Sequence, residues 1–185
     1  MTWIMSVSPE KATGRTKEVY ESILAKRGHI ANVFIAEGMD PEVLSHQVDL
    51  YLELMMGPGP LSREEREMIA VVVSAANKSP YGTIHHSEAL EQVEKDPDAL
   101  EKVLKEFASK HASPRTKALL AYGAKLTLDP RGVTEVDIKD LRDAGLTDAE
   151  ILRANLVASY FNFLNRVTLG LGVQVEKGKS RTYRY

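Results

Sequence analysis

The chain is 185 residues long, with 24 basic and 26 acidic side chains, five histidines and no cysteine. A length of this order suits one domain and buries roughly 70% of the unfolded surface, so no covalent staple is needed. The net charge of -2 argues against nucleic acid as a whole-domain ligand, and the missing thiols exclude a disulfide framework and a thiolate metal site.

The opening residues MTWIMSVSPEK lack the basic and apolar regions of a signal peptide. No run approaches the roughly 18 apolar residues of a membrane span, so no membrane association is predicted and the expected setting is cytoplasmic. Thr13 to Arg27 carries Val19, Tyr20, Ile23 and Leu24 at helical spacing, with Gly28 as a stop. Asp40-Pro41 is a cap followed by proline at the first helical position, and Val43, Leu44, Val48, Tyr51, Leu52 and Met55 mark one broad apolar face. Gly57-Pro58-Gly59-Pro60 ends that helix, because neither proline supplies an amide donor. Ser62 and Glu65 form a capping box for a helix to about Ala76. Its half IAVVVSAA is apolar all round; the three valines would suit a strand, but the capping box and the length favour a buried helix. Ser79-Pro80 opens the next helix, through about Glu94.

Asp96-Pro97 and Ser113-Pro114 open two more, with Leu100, Val103, Leu104 and Phe107 facing inward on one and Leu119, Leu120, Tyr122 and Leu126 on the other. Thr134 to Ala144 reads as a short helix closed by Gly145, and Thr147 with Glu150 is a second capping box before a long apolar helix from Ile151 to about Leu169. The fold class is therefore all-α, one domain over 1–185: an N-terminal helical part (1–60), a central hairpin (61–95), C-terminal helices (96–176) and a basic tail (177–185). The two capping boxes hint at a duplicated helical hairpin. The tail, with Lys177, Lys179, Arg181 and Arg184, reads as a solvated terminus or as an arm onto a neighbouring subunit.

The chemistry concentrates in LSREEREMIAVVVSAANKSPYGTIHHSE, Leu61 to Glu88. Ser79, Gly82 and His86 stand at i, i+3 and i+7, on one face at the start of a helix whose free amides and dipole favour an anion. The expectation is a small anion pocket there, bordered by Ser79, Tyr81 and Gly82, with His86 behind it and His85 beside it. For antiparallel helices Glu67 lies roughly 16 Å and His86 roughly 12 Å from the turn, and a relay through one water is expected rather than a direct pair. Glu67 also has a plainer reading as a solvated carboxylate near a helix start, Tyr81 as a packing residue, and His85 as a surface or subunit contact. His85 and His86 diverge by about 100° on a helix, so a shared metal ion with Glu88 or Glu67 is not the favoured reading.

This segment resembles the active-site hairpin of the alkylhydroperoxidase D-like proteins within the carboxymuconolactone decarboxylase family, and is most similar to the peroxidase-related subgroup. GHIANVFIA, LTLDP with VTEVDI, and FNFLNRVTLGLGV look similar as well, so the likeness spans nearly the whole chain. The family motif is a glutamate, eleven residues, Cys-x-x-Cys, three residues and a histidine. Carried over, Glu67 takes the glutamate place, Ser79 and Gly82 the cysteine places, and His86 the histidine place, with His85 as the neighbouring histidine. The resemblance implies thiol peroxidase or decarboxylase chemistry and assembly into trimers or hexamers. Gly82 has no side chain to attack a peroxide and Ser79 no sulfur to form a disulfide, which removes thiol peroxidase chemistry. What remains is a cofactor-free acid/base enzyme on a small anionic substrate, with Glu67, His86 and His85 catalytic and no metal, or a scaffold that keeps the fold. Asn162, Asn165 and Arg166 read as polar glue between helices or subunits.

Overall fold

Caps decide where the helices of the computed structural model begin. The structure describes residues 2–95, 98 and 113–176; the expected helix after Asp96-Pro97 and the basic tail lie outside the described residues. Eight α-helices are present among the described residues, and no strand. They are α1 (Gly14–Arg27), α2 (Asn32–Ala36), α3 (Pro41–Met55), α4 (Arg63–Ala76), α5 (Pro80–Glu94), α6 (Pro114–Leu128), α7 (Glu135–Asp143) and α8 (Asp148–Gly170). Asp40, Ser62, Ser79, Ser113 and Thr147 each accept a hydrogen bond from an amide three residues on, as their cap positions predict. Gly28 closes α1 at φ 76° and Gly145 follows α7 at φ 88°, left-handed turns that glycine adopts without strain. The helix α2 is the one periodicity missed, because five residues cannot display a 3.6-residue repeat.

The stretch with the three valines is helical, and α4 is the central rod. Ile69, Ala70, Val71 and Val73 are all but inaccessible, packed by α5, α6 and α8 on different sides. Ile69, Ala70 and Val73 join the large core with Leu44, Leu119, Val157 and Phe161. Met68, Val71 and Val72 form a smaller cluster with Leu90 and Leu120. Each buried side chain of this size contributes about 1.5–3 kcal/mol, so α4 owes its helicity to packing on every face rather than to propensity.

Charged side chains fasten the ends. Arg115 on α6 donates to Glu65 Oε1 and Glu150 Oε1, both at 2.6 Å, so one guanidinium holds the glutamates of both capping boxes. The Thr147 amide and then Arg115 lower Glu150 to about 2. The Gly-Pro turn after α3 leaves carbonyls without helical partners, and Arg66 donates to Leu54 O (3.1 Å) and Gly57 O (2.9 Å). No described helix is long and apolar enough to cross a membrane.

Candidate active site

A three-residue turn, Asn77 to Ser79, joins α4 to α5; Ser79 N donates to Ser74 O at 3.0 Å, and Lys78 takes a left-handed φ of 55°. A polar seam ties this turn to the neighbouring helices. Asn77 Nδ2 donates to Asn162 Oδ1 (3.0 Å), Arg166 Nη1 to Asn77 Oδ1 (3.3 Å), and Asn165 Nδ2 to Ser74 Oγ (3.2 Å). Asn162, Asn165 and Arg166 are thus glue between α4 and α8.

The geometry of Glu67 corrects two expectations. Its side chain is completely buried rather than solvated, and it meets His86 directly, Oε2 to Nδ1 at 2.7 Å, with no water between. Counted from the helix ends, Glu67 lies nine residues before the last residue of α4 and His86 six after the first of α5. The remaining offset of roughly 4–5 Å lies within the reach of the two side chains. Arg63, one turn earlier, donates from Nε to Glu67 Oε1 at 2.8 Å. The ring of His86 packs edge-on against Phe161, centroids 4.2 Å apart.

Burial alone would push Glu67 toward the neutral acid, but His86 and Arg63 outweigh it and hold the carboxyl below its ordinary range. His86 is lowered as well: burial disfavours the imidazolium more than Glu67 favours it, and His85 and Arg63 add repulsion. The consistent state is an ionised Glu67 accepting a hydrogen bond from Nδ1–H of a neutral His86. The ring's second nitrogen, Nε2, then carries the lone pair.

A third correction concerns His85. It is buried rather than a surface residue, and its Nε2 lies 2.7 Å from Glu176 Oε2. The other oxygen of Glu176 accepts from Tyr81 Oη (2.9 Å) and from the Asn32 amide (2.6 Å). Glu176 sits at about 2, because the bonds from His85 and the Asn32 amide overcome the cost of burial. Tyr81 does pack, with its ring 4.4 Å from that of His85, but its hydroxyl is also part of this network.

The helix start does not form one pocket with His86. Ser79 Oγ accepts from Gly82 N at 3.4 Å, so the chain occupies its own first turn. A Cβ on Gly82 would come within 2.5 Å of both Asn165 Oδ1 and Ser74 Oγ, so a hydrogen-bonded pair fills the place of the missing thiol. Two spaces flank the segment instead. A cleft of about 250 Å³ is lined by Ser79, Pro80, Tyr81, Thr168, Leu169 and Val173 to Val175. A separate cavity of about 40 Å³ holds the histidines, bounded also by Arg27, Ala31, Val33, Phe34, Tyr51, Tyr81 and Leu164. Tyr81 borders both. The structure therefore brings Glu67, His86, His85 and Tyr81 together; Ser79 borders the other cleft, and Gly82 packs against Ser74 and Asn165 and lines neither space.

Sequence reasoning missed three residues. Arg63 had a signal, a basic residue four positions before a glutamate on one helix face. Arg27 read only as the last residue of an amphipathic helix. Glu176 had none, since it follows α8 in an irregular segment 91 residues from His85.

Residues 41–125 match the Carboxymuconolactone decarboxylase family, while no curated protein matches the chain. An uncharacterized peroxidase-related protein from Silicibacter sp. TM1040 is 30% identical, over 97% of this chain and 91% of its own, with a TM-score of 0.81. An alkylhydroperoxidase AhpD core, an uncharacterized peroxidase-related protein from Ralstonia eutropha JMP134, is 24% identical over 99% and 98%, with a TM-score of 0.84. The debrominase Bmp8 shares the fold at 16% identity, over 93% and 91%, with a TM-score of 0.79. With an all-helical fold, a glutamate and histidine meeting across the hairpin, and this likeness along the whole chain, the protein belongs to the carboxymuconolactone decarboxylase family, among its alkylhydroperoxidase D-like, peroxidase-related members.

Proposed function

We propose that this protein is a cofactor-free acid/base enzyme, decarboxylase- or isomerase-like, acting on a small anionic substrate, with His86 as the proton-transfer residue. The observation that carries this reading is the 2.7 Å contact between Glu67 and His86 Nδ1. It fixes the tautomer and leaves the lone pair on Nε2 of a ring that borders a cavity. Nε2 takes a proton from the substrate carbon in an isomerisation, exchanges it with solvent and returns one to the carbanion, or delivers a solvent-derived proton to the carbanion left by departing CO₂ in a decarboxylation; Glu67 stabilises the imidazolium in either case. Glu67 acts through His86 and is a positioning residue. His85 and Tyr81, held by Glu176, border the same cavity. Thiol peroxidase chemistry has no sulfur to run on, since the chain contains no cysteine.

The test is deuterium uptake or CO₂ release from a panel of small carboxylates and lactones in D₂O. His86→Gln is expected to lower the rate by about 10²–10⁴-fold. Equal rates in both proteins would sink the reading, as would robust hydroperoxide consumption by metal-free wild type.

A scaffold or binding role is the second reading, and the small volume of the histidine cavity, about 40 Å³, favours it. It predicts no turnover of any panel member. Under either reading we propose a homo-oligomer, trimer or hexamer. Val43 and Leu50 on α3 and Leu156 and Phe163 on α8 are each about half exposed along one apolar groove, which supports it. A monomer by light scattering would contradict it.

A further inference from the structure

The cavity that His86 borders measures about 40 Å³, room for a water or two, so a wall must give way before anything larger reaches Nε2. Its walls come mainly from α1, α2, α3, α5 and α8. Four of these are helices of 14 to 23 residues; α2 has five, and it contributes Val33 and Phe34 to the lining. At its start the Asn32 amide donates to Glu176 and the Val33 amide to Tyr81 Oη (3.3 Å), a clasp whose acid stays ionised at neutral pH. The other end is held differently. Glu37, which closes α2, keeps both carboxyl oxygens shielded from solvent, and neither makes a hydrogen bond. Three groups face it, none of them a cation: Tyr20 from α1, Gln47 from α3 and Tyr160 from α8. Tyr20 Oη donates to Val7 O at 2.9 Å, and the Gln47 amide and Tyr160 Oη make no hydrogen bond either. Asp40, on the same segment, is turned to the Val43 amide, while Arg27 and Tyr51 act on Tyr160. Burial raises both phenols above their ordinary value, so both stay neutral through pH 8.

We propose that α2 is a gate over the His86 cavity, latched by the neutral carboxyl of Glu37: when that group ionises, the state in which it reaches water gains, and α2 lifts Val33 and Phe34 away from His86. The gate stands on the packing of α2; only the statement that a substrate passes through it rests on the acid/base reading. A neutral carboxyl is tolerated where Glu37 sits, whereas an unpaired carboxylate sealed from water is not. Burial outweighs the weak pull of Gln47 and holds Glu37 at about 7 in the closed form, while an exposed glutamate titrates at about 4.3. The closed form therefore has its full stability below the ordinary carboxylate range and loses it as pH rises to about 7. Across that interval the opening constant gains up to tenfold for each pH unit, roughly a hundredfold in all. Lifting α2 also exposes Val33, Phe34 and Ala36, which are buried in the closed form, so the open form stays a minor population.

The experiment has two readouts on the full chain between pH 5 and 8, in wild type and Glu37→Gln. The first is amide exchange at Phe34, Ile35 and Glu37, corrected for the intrinsic effect of pH, with Ile69 to Val73 of α4 as the reference for global unfolding. The second is acylation of His86 by diethyl pyrocarbonate, followed by mass spectrometry and scaled to free imidazole. In wild type, protection of α2 is expected to fall tenfold or more from pH 5 to 8 while α4 stays better protected, and acylation of His86 to rise in parallel. Glu37→Gln cannot ionise, so both profiles should be nearly flat, with α2 protected at pH 8 about as at pH 5. Glu37→Leu, equally unable to ionise, should behave the same way and decides the point if Glu37→Gln does not fold. The gate is overturned if wild-type α2 protection does not change with pH, if both variants keep the wild-type profile, or if His86 is acylated equally fast in all three proteins at pH 8. Access to His86 that rises with pH, without turnover of any panel member, upholds the gate and removes the enzyme. Turnover with access that ignores pH removes the gate and leaves the enzyme.

Discussion

Two adjacent histidines on α5 make the same bond with opposite partners. His86 points to α4 and meets the fully buried Glu67, 19 residues earlier; His85 points to the C-terminal segment and meets Glu176, 91 residues later. Both contacts are 2.7 Å. The inner pair is backed by Arg63 and fixed between two helices that share the most extensive packing among the described helices. The outer pair hangs on a segment with no regular structure, held by Asn32 and Tyr81. The contrast teaches that one element of the site is built into the hairpin and the other is a clasp brought from the far end of the chain.

The sharpest way to break the comparison is to remove the inner carboxylate. Glu67→Ala strands Arg63 and His86 in the interior, and truncating one partner of a buried charge pair costs about 3–5 kcal/mol. Chemical denaturation should show the loss as a lower midpoint with little change in slope. The pH dependence has a definite sign. Both Glu67 and His86 have depressed values, so the unfolded chain binds more protons than the folded one. Their contribution is present above about pH 6.5 and is lost as pH falls, first through His86 and then through Glu67. Because Glu37 titrates in the opposite sense in both proteins, the quantity to follow is the difference in denaturation midpoint between wild type and Glu67→Ala, which should shrink from pH 8 to 6 to 4. A slope unchanged by the substitution would show that the pair is not the source.

The clasp should yield less. Glu176→Ala removes a charged acceptor from Tyr81, Asn32 and His85 and is expected to cost about 1.5–3 kcal/mol. Because Glu176 stays ionised down to about 2, the wild-type clasp should hold through mild acid, and its stabilisation should disappear only as pH drops from the ordinary carboxylate range toward that value. Amide exchange at Asn32 and Val33 should accelerate in the variant while that within α4 stays slow. Equal acceleration in both would mean that the two pairs are one cooperative unit.

How much of this was legible follows from the same contrast. Caps and apolar spacing placed α1 and α3 to α8 closely, because Ser62 with Glu65, Thr147 with Glu150, and the proline-led starts are local chemistry. Glu67 and His86 were brought together by the hairpin that those caps enclose. Their direct contact was not foreseen because counting rise along two idealised rods ignored the reach of a glutamate and an imidazole. The filling of the thiol site was hidden, since Ser74 and Asn165 meet only when α8 crosses the hairpin. Glu176 was beyond reach for the reason that makes it a clasp: nothing periodic surrounds it, and its partners belong to α2 and α5.

A third carboxylate supplies the control that the comparison needs. Glu37 at the end of α2 is held near Gln47 and Tyr160, but neither of its shielded oxygens has a hydrogen bond and no cation pairs with it among the described residues. Burial therefore wins there, pushing Glu37 up to about 7, with Gln47 pulling weakly the other way. The sign is opposite to that of Glu67 and Glu176. Glu37 folds comfortably as the neutral acid, and the fold loses stability as pH rises from the ordinary carboxylate range to about 7. Glu37→Gln keeps the shape and removes the charge, so it should stabilise the protein at pH 8 by about 1–2 kcal/mol and change little at pH 4. Thermal melts of the two proteins at both pH values decide the point. A variant that is destabilised at pH 8 would mean that the ionised Glu37 has a counter-charge, and burial with no partner would no longer explain why this carboxylate departs from the two that meet histidines.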